Sequence, residues 1–141
     1  MGSLTLPSAG LVYLDTNAVI YSVVKIDPYA SLLQPLWLAA QAGRITVVSS
    51  ELTLLETLVK PFRDGDDLLA AAFRALLLAS RAVRLLPINQ ALLEDATRLR
   101  AMIGLKTPDA LHAAAALASG CALFVTNRCG QPPAARRCPP G

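Results

Sequence analysis

The chain has 141 residues, enough for one domain with a sizeable hydrophobic core. Its hydrophobic fraction of 54% and charged fraction of 16% exclude an intrinsically disordered protein, because such proteins lack the apolar residues needed to offset the entropy of folding. The net charge of +3 would tolerate a polyanionic partner such as nucleic acid but does not by itself predict one.

The cysteines and the amino terminus bear on where the protein works. Cys121, Cys129 and Cys138 form no CxxC pair, which is typical of neither a zinc site nor a disulfide framework, so we expect a reducing setting. No apolar run approaches the roughly 18–20 residues of a membrane-spanning helix, and Met1–Gly10 lacks the basic start and apolar core of a signal peptide. The sequence therefore predicts a cytoplasmic protein without a membrane segment.

Short apolar runs alternate with longer stretches of helical periodicity. The runs predict strands at 11–14, 45–48, 83–88 and 122–125. The longer stretches predict helices at 28–43, 51–59, 68–81, 90–104 and 108–120. Helix caps are expected at Asp27, Ser50, Asn89 and Thr107, and Pro61 is expected to stop the second helix. The pattern predicts an α/β fold, a three-layer α/β/α sandwich with a mostly parallel central sheet.

The sequence changes character after Asn127. Residues 131–141 contain four prolines and no apolar alternation, and proline cannot donate a hydrogen bond to a strand ladder. We expect a single domain over residues 1–127, followed by a proline-rich, disordered tail over 128–141 that contributes no strand.

Three carboxylates accompany the predicted strands. Asp15 closes the first strand, Glu56 lies in the helix after the second, and Asp109 opens the helix before the fourth. Such residues are costly to bury unless they are paired or bind a metal. Because sites in parallel sheets form beyond the carboxyl ends of the strands, we expect these acids at one rim, where they could hold Mg²⁺ or Mn²⁺. Glu51 is a rival for the role of Glu56.

Each candidate also has a structural interpretation. Asp15 could cap the turn at Thr16-Asn17, and Asp109 could be a first-turn residue favoured by the helix dipole. His112 is the only histidine and lies one turn after Asp109, so it is either a structural histidine or a partner of Asp109 or of the substrate. The residues that could support a site or merely form turns are Thr16, Asn17 and Thr126.

Several segments together resemble a known family. They are Leu14-Asp15-Thr16-Asn17, the helix of Glu56, Thr107-Pro108-Asp109-Ala110-Leu111-His112 and Phe124-Val125-Thr126-Asn127. These segments resemble the PIN domain, and in particular the VapC-like toxin ribonucleases of bacterial toxin–antitoxin pairs. The resemblance covers residues 11–127. It implies an α/β/α sandwich, Mg²⁺- or Mn²⁺-dependent cleavage of RNA, a homodimer and a small antitoxin partner.

The resemblance also implies roles for individual residues. Asp15, Glu56 and Asp109 match the family's first three acids and would be the catalytic metal ligands. The auxiliary residues would be Asn17, His112, Thr126 and Asn127. The family's fourth acid follows the Thr-Asn pair, where this chain has Arg128, and the family's final strand is predicted to be missing. A frameshifted or truncated end is one hypothesis for both departures.

Three functional hypotheses follow. The first is a metal-dependent endoribonuclease that is the toxin of a toxin–antitoxin pair. The second is a catalytically weakened PIN-like protein that binds antitoxin or RNA without efficient turnover, which Arg128 favours. The third is a metal-dependent phosphatase, which would need a second aspartate two positions after Asp15, where this chain has Asn17.

Overall fold

The computed structural model describes residues 4–126 and 134–136, which form a five-stranded sheet covered by helices. The strands are β1 Leu11–Leu14, β2 Thr46–Ser50, β3 Val83–Leu86, β4 Leu123–Thr126 and β5 Ala134–Arg136. Their order in the sheet is β3-β2-β1-β4-β5. The first four strands are parallel, and β5 runs antiparallel to β4.

Helices cover both faces of this sheet. They are α1 Thr16–Val24, α2 Tyr29–Gln41, α3 Glu51–Asp64, α4 Asp67–Arg74, α5 Gln90–Ile103 and α6 Thr107–Ser119. A π-helical turn, Ala75–Ala79, continues α4. None of the helices within these described ranges combines the length and the apolar character that crossing a membrane requires.

The central strand β1 shows why the fold has three layers. Val12 and Leu14 pack into one apolar cluster with residues of α1 to α4, whereas Tyr13 packs into a second cluster with residues of α5 and α6. Side chains alternate between the faces of a strand, so a strand that is apolar at every position buries both faces. The prediction of an α/β/α sandwich with a mostly parallel sheet is confirmed.

The sequence analysis missed α1. This helix begins directly after β1, and its first turn is capped by Asp15, whose Oδ1 accepts a hydrogen bond from the Ala18 amide at 3.0 Å. Asp15 therefore caps a helix and not an isolated turn.

The predicted end of the second helix at Pro61 is wrong. Helix α3 continues through Pro61 to Asp64 and ends at Gly65, which adopts the left-handed conformation (φ +67°) that favours glycine. Proline removes one helical hydrogen bond, and Pro61 is itself buried within the helix.

The prediction that no strand follows Asn127 is also wrong. Strand β5 pairs with β4 in the register Phe124↔Arg136 and Thr126↔Ala134. Three proline-free residues between two Pro-Pro pairs are enough to form a short ladder on the open edge of β4. The boundary at 127 and the disorder of the rest of the tail stay predictions, because Asn127, Arg128 and most of the tail lie outside the described residues.

The cysteine count and spacing did not predict a disulfide framework, yet one cysteine is disulfide-bonded. Cys121 lies buried just before β4 and is disulfide-bonded. An odd number of cysteines still allows two of them to pair.

Candidate active site

Asp15 is held at the carboxyl end of the sheet by two neighbouring elements. Strands β1 and β4 pair through Leu14 and Val125, so the residues that follow them meet at the rim. Asp15 is only 6% exposed, and besides capping α1 it accepts a hydrogen bond at Oδ2 from the Thr126 hydroxyl at 2.7 Å. Each carboxylate oxygen thus has a defined partner, which fixes the orientation of the group. Thr126 lies where the sequence placed an auxiliary residue.

Glu56 reaches the same rim from the second turn of α3. Its Oε1 accepts hydrogen bonds from the Thr16 hydroxyl at 2.6 Å and from Nε2 of His112 at 2.9 Å. Three helices, α1, α3 and α6, therefore converge on one carboxylate oxygen. Thr16 follows Asp15 in sequence, so this contact brings the first two predicted acids to neighbouring positions.

Glu51, the sequence-level rival of Glu56, has a different partner. Its Oε1 accepts a hydrogen bond from the backbone N–H of Ile88 at 3.1 Å, which ties the start of α3 to the segment after β3. This hydrogen bond has a structural role, so Glu56 is the better candidate for the site.

The surroundings of Glu56 favour its ionised form. Burial opposes ionisation, but the hydrogen bonds from His112 and Thr16 outweigh it and hold the pKa of Glu56 below its ordinary value. Glu56 is therefore negatively charged at neutral pH.

His112 is buried and engaged at both ring nitrogens. Nδ1 lies 2.9 Å from the Tyr13 hydroxyl, and Nε2 lies 2.9 Å from Glu56 and 3.1 Å from the Thr16 hydroxyl. The sequence analysis considered Asp109 as its partner. The structure joins His112 to Glu56 instead.

Asp109 stands apart from the other two acids. It lies in the first turn of α6, one turn before His112, and it is exposed. Within residues 4–126 and 134–136, no three His, Cys, Asp or Glu side chains are close enough together to hold a metal ion. The structure thus links the segment of Asp15 to Glu56 through Thr16 and leaves Asp109 exposed in the first turn of α6.

The donor set still fits a hard divalent cation. Mg²⁺ prefers oxygen ligands, keeps several waters and is commonly held by one or two carboxylates together with substrate phosphates, so a closed cage of three acids is not required. Asp15 and Glu56 supply two such carboxylates in fixed positions, and Asp109 supplies a third that solvent and ligands can reach.

Buried hydroxyls beneath the site were not singled out from the sequence. The Ser49 hydroxyl donates to the Leu14 carbonyl at 2.7 Å and lies 2.6 Å from the Thr53 hydroxyl. The side chain of Ser50 is buried as well. Two serines directly after the apolar pair Val47-Val48 were an available signal, because a buried strand end rarely carries hydroxyls without a polar neighbour.

The two remaining predicted auxiliary residues are Asn17 and Asn127. Asn17 is exposed in the first turn of α1. Asn127 lies outside the described residues.

The fold has known counterparts. It is similar to a chain in the crystal structure of VapBC2 from Rickettsia felis bound to a DNA fragment from their promoter, with 21% identity over 84% of this chain and 87% of that chain and a TM-score of 0.65. It is also similar to a chain of a toxin–antitoxin complex from Klebsiella pneumoniae, with 23% identity over 74% of this chain and 77% of that chain and a TM-score of 0.55. At these identities the likeness concerns the fold alone.

The sequence comparisons identify the family. No curated protein sequence matches this chain. The model of the PIN domain matches residues 12–127, a span that contains Asp15, Glu56 and Asp109. PIN domains are generally nucleases that depend on divalent metal ions. The chain belongs to the PIN-domain family.

Proposed function

We propose that the protein is a metal-dependent endoribonuclease and the toxin of a toxin–antitoxin pair. The observation that carries the proposal is the pair of acids, Asp15 and Glu56, that partly buried hydrogen bonds hold at one rim of a PIN-domain sheet. Asp109, exposed in the first turn of α6, completes the proposed ligand set for Mg²⁺ or Mn²⁺.

The chain's own residues have separate tasks in this proposal. Thr126 fixes the carboxylate of Asp15, while Thr16 and His112 fix that of Glu56. A bound divalent cation would supply an activated water and neutralise the charge that develops on a phosphodiester. Fixed oxygen donors lower the barrier because they need no reorganisation when that charge develops.

The proposed partners are RNA, a small antitoxin and a second copy of the chain. Charge is compatible with RNA, since the net charge is +3. A protein partner is supported by the outer face of α3, where Leu55, Val59 and Phe62 are 61%, 45% and 58% exposed. The similar structure from Klebsiella pneumoniae is a toxin–antitoxin complex. We place the protein in the cytoplasm, where its proposed RNA substrate is found.

The test is cleavage of a single-stranded RNA in the presence of Mn²⁺ by the native chain and by Asp15→Asn. Asparagine caps helices about as well as aspartate, so the fold should survive while cleavage falls by about 100-fold or more. Asp66→Asn is the matched control, because Asp66 also caps a helix, through the Leu69 amide at 3.0 Å, but in an exposed turn. Equal cleavage by Asp15→Asn and by the native chain would show that the assigned site is wrong.

The alternative is a weakened PIN protein that binds antitoxin or RNA without efficient turnover. The observation that favours it is Arg128, which stands where the family has its fourth acid and which lies outside the described residues. An inactive native chain that gains Mn²⁺-dependent cleavage in Arg128→Asp would establish this alternative. An active native chain would exclude it.

A further inference from the structure

The hydrogen bonds around Glu56 define where the protons lie. The Thr16 hydroxyl has one proton, and at 2.6 Å that proton points to the carboxylate oxygen of Glu56, which can only accept. The same hydroxyl lies 3.1 Å from Nε2 of His112. Since Thr16 has no second proton to give, Nε2 must carry the hydrogen and share it between Glu56 and Thr16.

This assignment fixes the other side of the ring. In a neutral imidazole with hydrogen on Nε2, Nδ1 is an acceptor and needs a donor. The Tyr13 hydroxyl is 2.9 Å away and is the available donor. Tyr13 therefore donates a hydrogen bond to His112, and His112 in turn donates one to Glu56.

The start of this chain of bonds is anchored in the sheet. Tyr13 lies in the central strand with no exposed surface, and its ring packs edge to face against Phe124 at 5.2 Å between centroids. A flipped imidazole would present carbon atoms to both Tyr13 and Glu56, and both hydrogen bonds would be lost. The position of Tyr13 thus sets the orientation of the His112 ring.

We propose that Tyr13 and His112 are positioning residues that orient the carboxylate of Glu56 through Oε1, so that its other oxygen can bind a divalent cation. This inference rests on the proposed function, because it takes Glu56 as a metal ligand. Neither Tyr13 nor His112 touches the cation or the substrate in this scheme; they act through Glu56. Partners of this kind orient a ligand and typically change metal affinity by 10- to 100-fold when removed.

The first test is nuclear magnetic resonance of the imidazole nitrogens. His112 is the only histidine, so a sample labelled with ¹⁵N-histidine gives one ring and needs no assignment. We expect the native chain to carry the hydrogen on Nε2. In Tyr13→Phe, we expect the Nδ1 signal to shift toward the value of an imidazole nitrogen that accepts no hydrogen bond. Tyr29→Phe is the matched control and should leave the signal unchanged. Hydrogen on Nδ1, or an unshifted signal in Tyr13→Phe, would overturn the inference.

The second test is the affinity for Mn²⁺, measured by calorimetry without RNA. We expect Tyr13→Phe and His112→Leu to weaken Mn²⁺ binding about tenfold or more. The amide of His112→Gln can replace the Nε2 donor, so its Mn²⁺ affinity should stay within about threefold of that of the native chain. Tyr29→Phe should bind as the native chain does. If His112→Leu fails to fold, Tyr13→Phe, which removes a single oxygen, carries the test.

The outcomes separate the two proposals. Native affinity in a folded Tyr13→Phe variant would overturn the positioning role, even if that variant were less stable. Mn²⁺ binding by a native chain that cleaves no RNA would overturn the proposed function alone. A native chain that binds no Mn²⁺ would overturn both.

Discussion

The two sides of the candidate site differ in how firmly the protein holds them. On the closed side, Asp15 and Glu56 are fixed by hydrogen bonds from Ala18, Thr126, Thr16 and His112. On the open side, Asp109 lies exposed in the first turn of α6. Folding alone places the closed side, and in the proposed site a bound cation or substrate would complete the open side. In the proposed site, the fold would therefore preorganise Asp15 and Glu56, whereas the position of Asp109 would depend on the bound ligand.

The largest effects are expected when one acid is removed from each side of the site. Glu56→Gln and Asp109→Asn should both lower Mn²⁺-dependent RNA cleavage by about 100-fold. Glu56→Gln should also lower the free energy of unfolding by about 1–3 kcal/mol, because it weakens hydrogen bonds to a charged group. Asp109→Asn should change it by less than about 0.5 kcal/mol, because the side chain is exposed. Denaturant unfolding and the cleavage assay measure the two effects, and equal destabilisation by both variants would refute the distinction.

A smaller effect is expected from the link between the two closed-side acids. Thr16→Val keeps the shape of the side chain but removes the donor to Glu56, so we expect a loss of about 1–2 kcal/mol in unfolding free energy. Thr97→Val is the control, because the Thr97 hydroxyl donates to the Leu93 carbonyl on an exposed helix face. Thermal unfolding of both variants provides the measurement. Equal losses in the two variants would mean that the partly buried hydrogen bond from Thr16 to Glu56 contributes no more to stability than an exposed one.

The stability that Glu56 contributes on the closed side should also depend on pH. The pKa of Glu56 lies below its ordinary value of 4.5 in the folded protein, so its ionised form adds stability that is complete above about 4.5 and is lost as the pH falls through the lower folded value. The excess stability of the native chain over Glu56→Gln should therefore shrink on acidification through this range. Urea unfolding at a series of pH values tests it; an excess that stays constant or grows in acid would contradict the assignment.

The smallest effect is expected at Glu51. Glu51→Gln keeps an oxygen acceptor for the Ile88 amide, so cleavage should stay within about twofold and unfolding free energy within about 0.5 kcal/mol of the native values. The same two assays measure it. A large loss of cleavage would restore Glu51 as a site residue.

Much of the fold was predictable because apolar periodicity is a local property. Strand β1 and the capped helix α5 were predicted closely, since Leu11–Leu14 is apolar throughout and Asn89 and Gly104 mark the ends of α5. Helix α1 was missed because it starts at Asp15 without an intervening loop. It also contains several β-branched residues, which have weak helix propensity. Strand β5 was missed because the surrounding prolines masked a three-residue pairing.

The site was predictable only in part. The rim position of Asp15 and Thr126 followed from the rule that parallel strands end together. The contact between Tyr13 and His112 joins positions 99 residues apart and depends on which face of β1 each side chain takes and on the rotamer of each ring. No local pattern encodes that information, so only the folded structure reveals it.

The most direct test of the central claim is anomalous diffraction from crystals of the protein grown with Mn²⁺. The account predicts a peak about 2.1 Å from carboxylate oxygens of Asp15 and Glu56, close to the distance typical of Mg²⁺ sites, with Asp109 turned toward the ion or its waters. A peak bound elsewhere, or one that includes neither Asp15 nor Glu56, would contradict it.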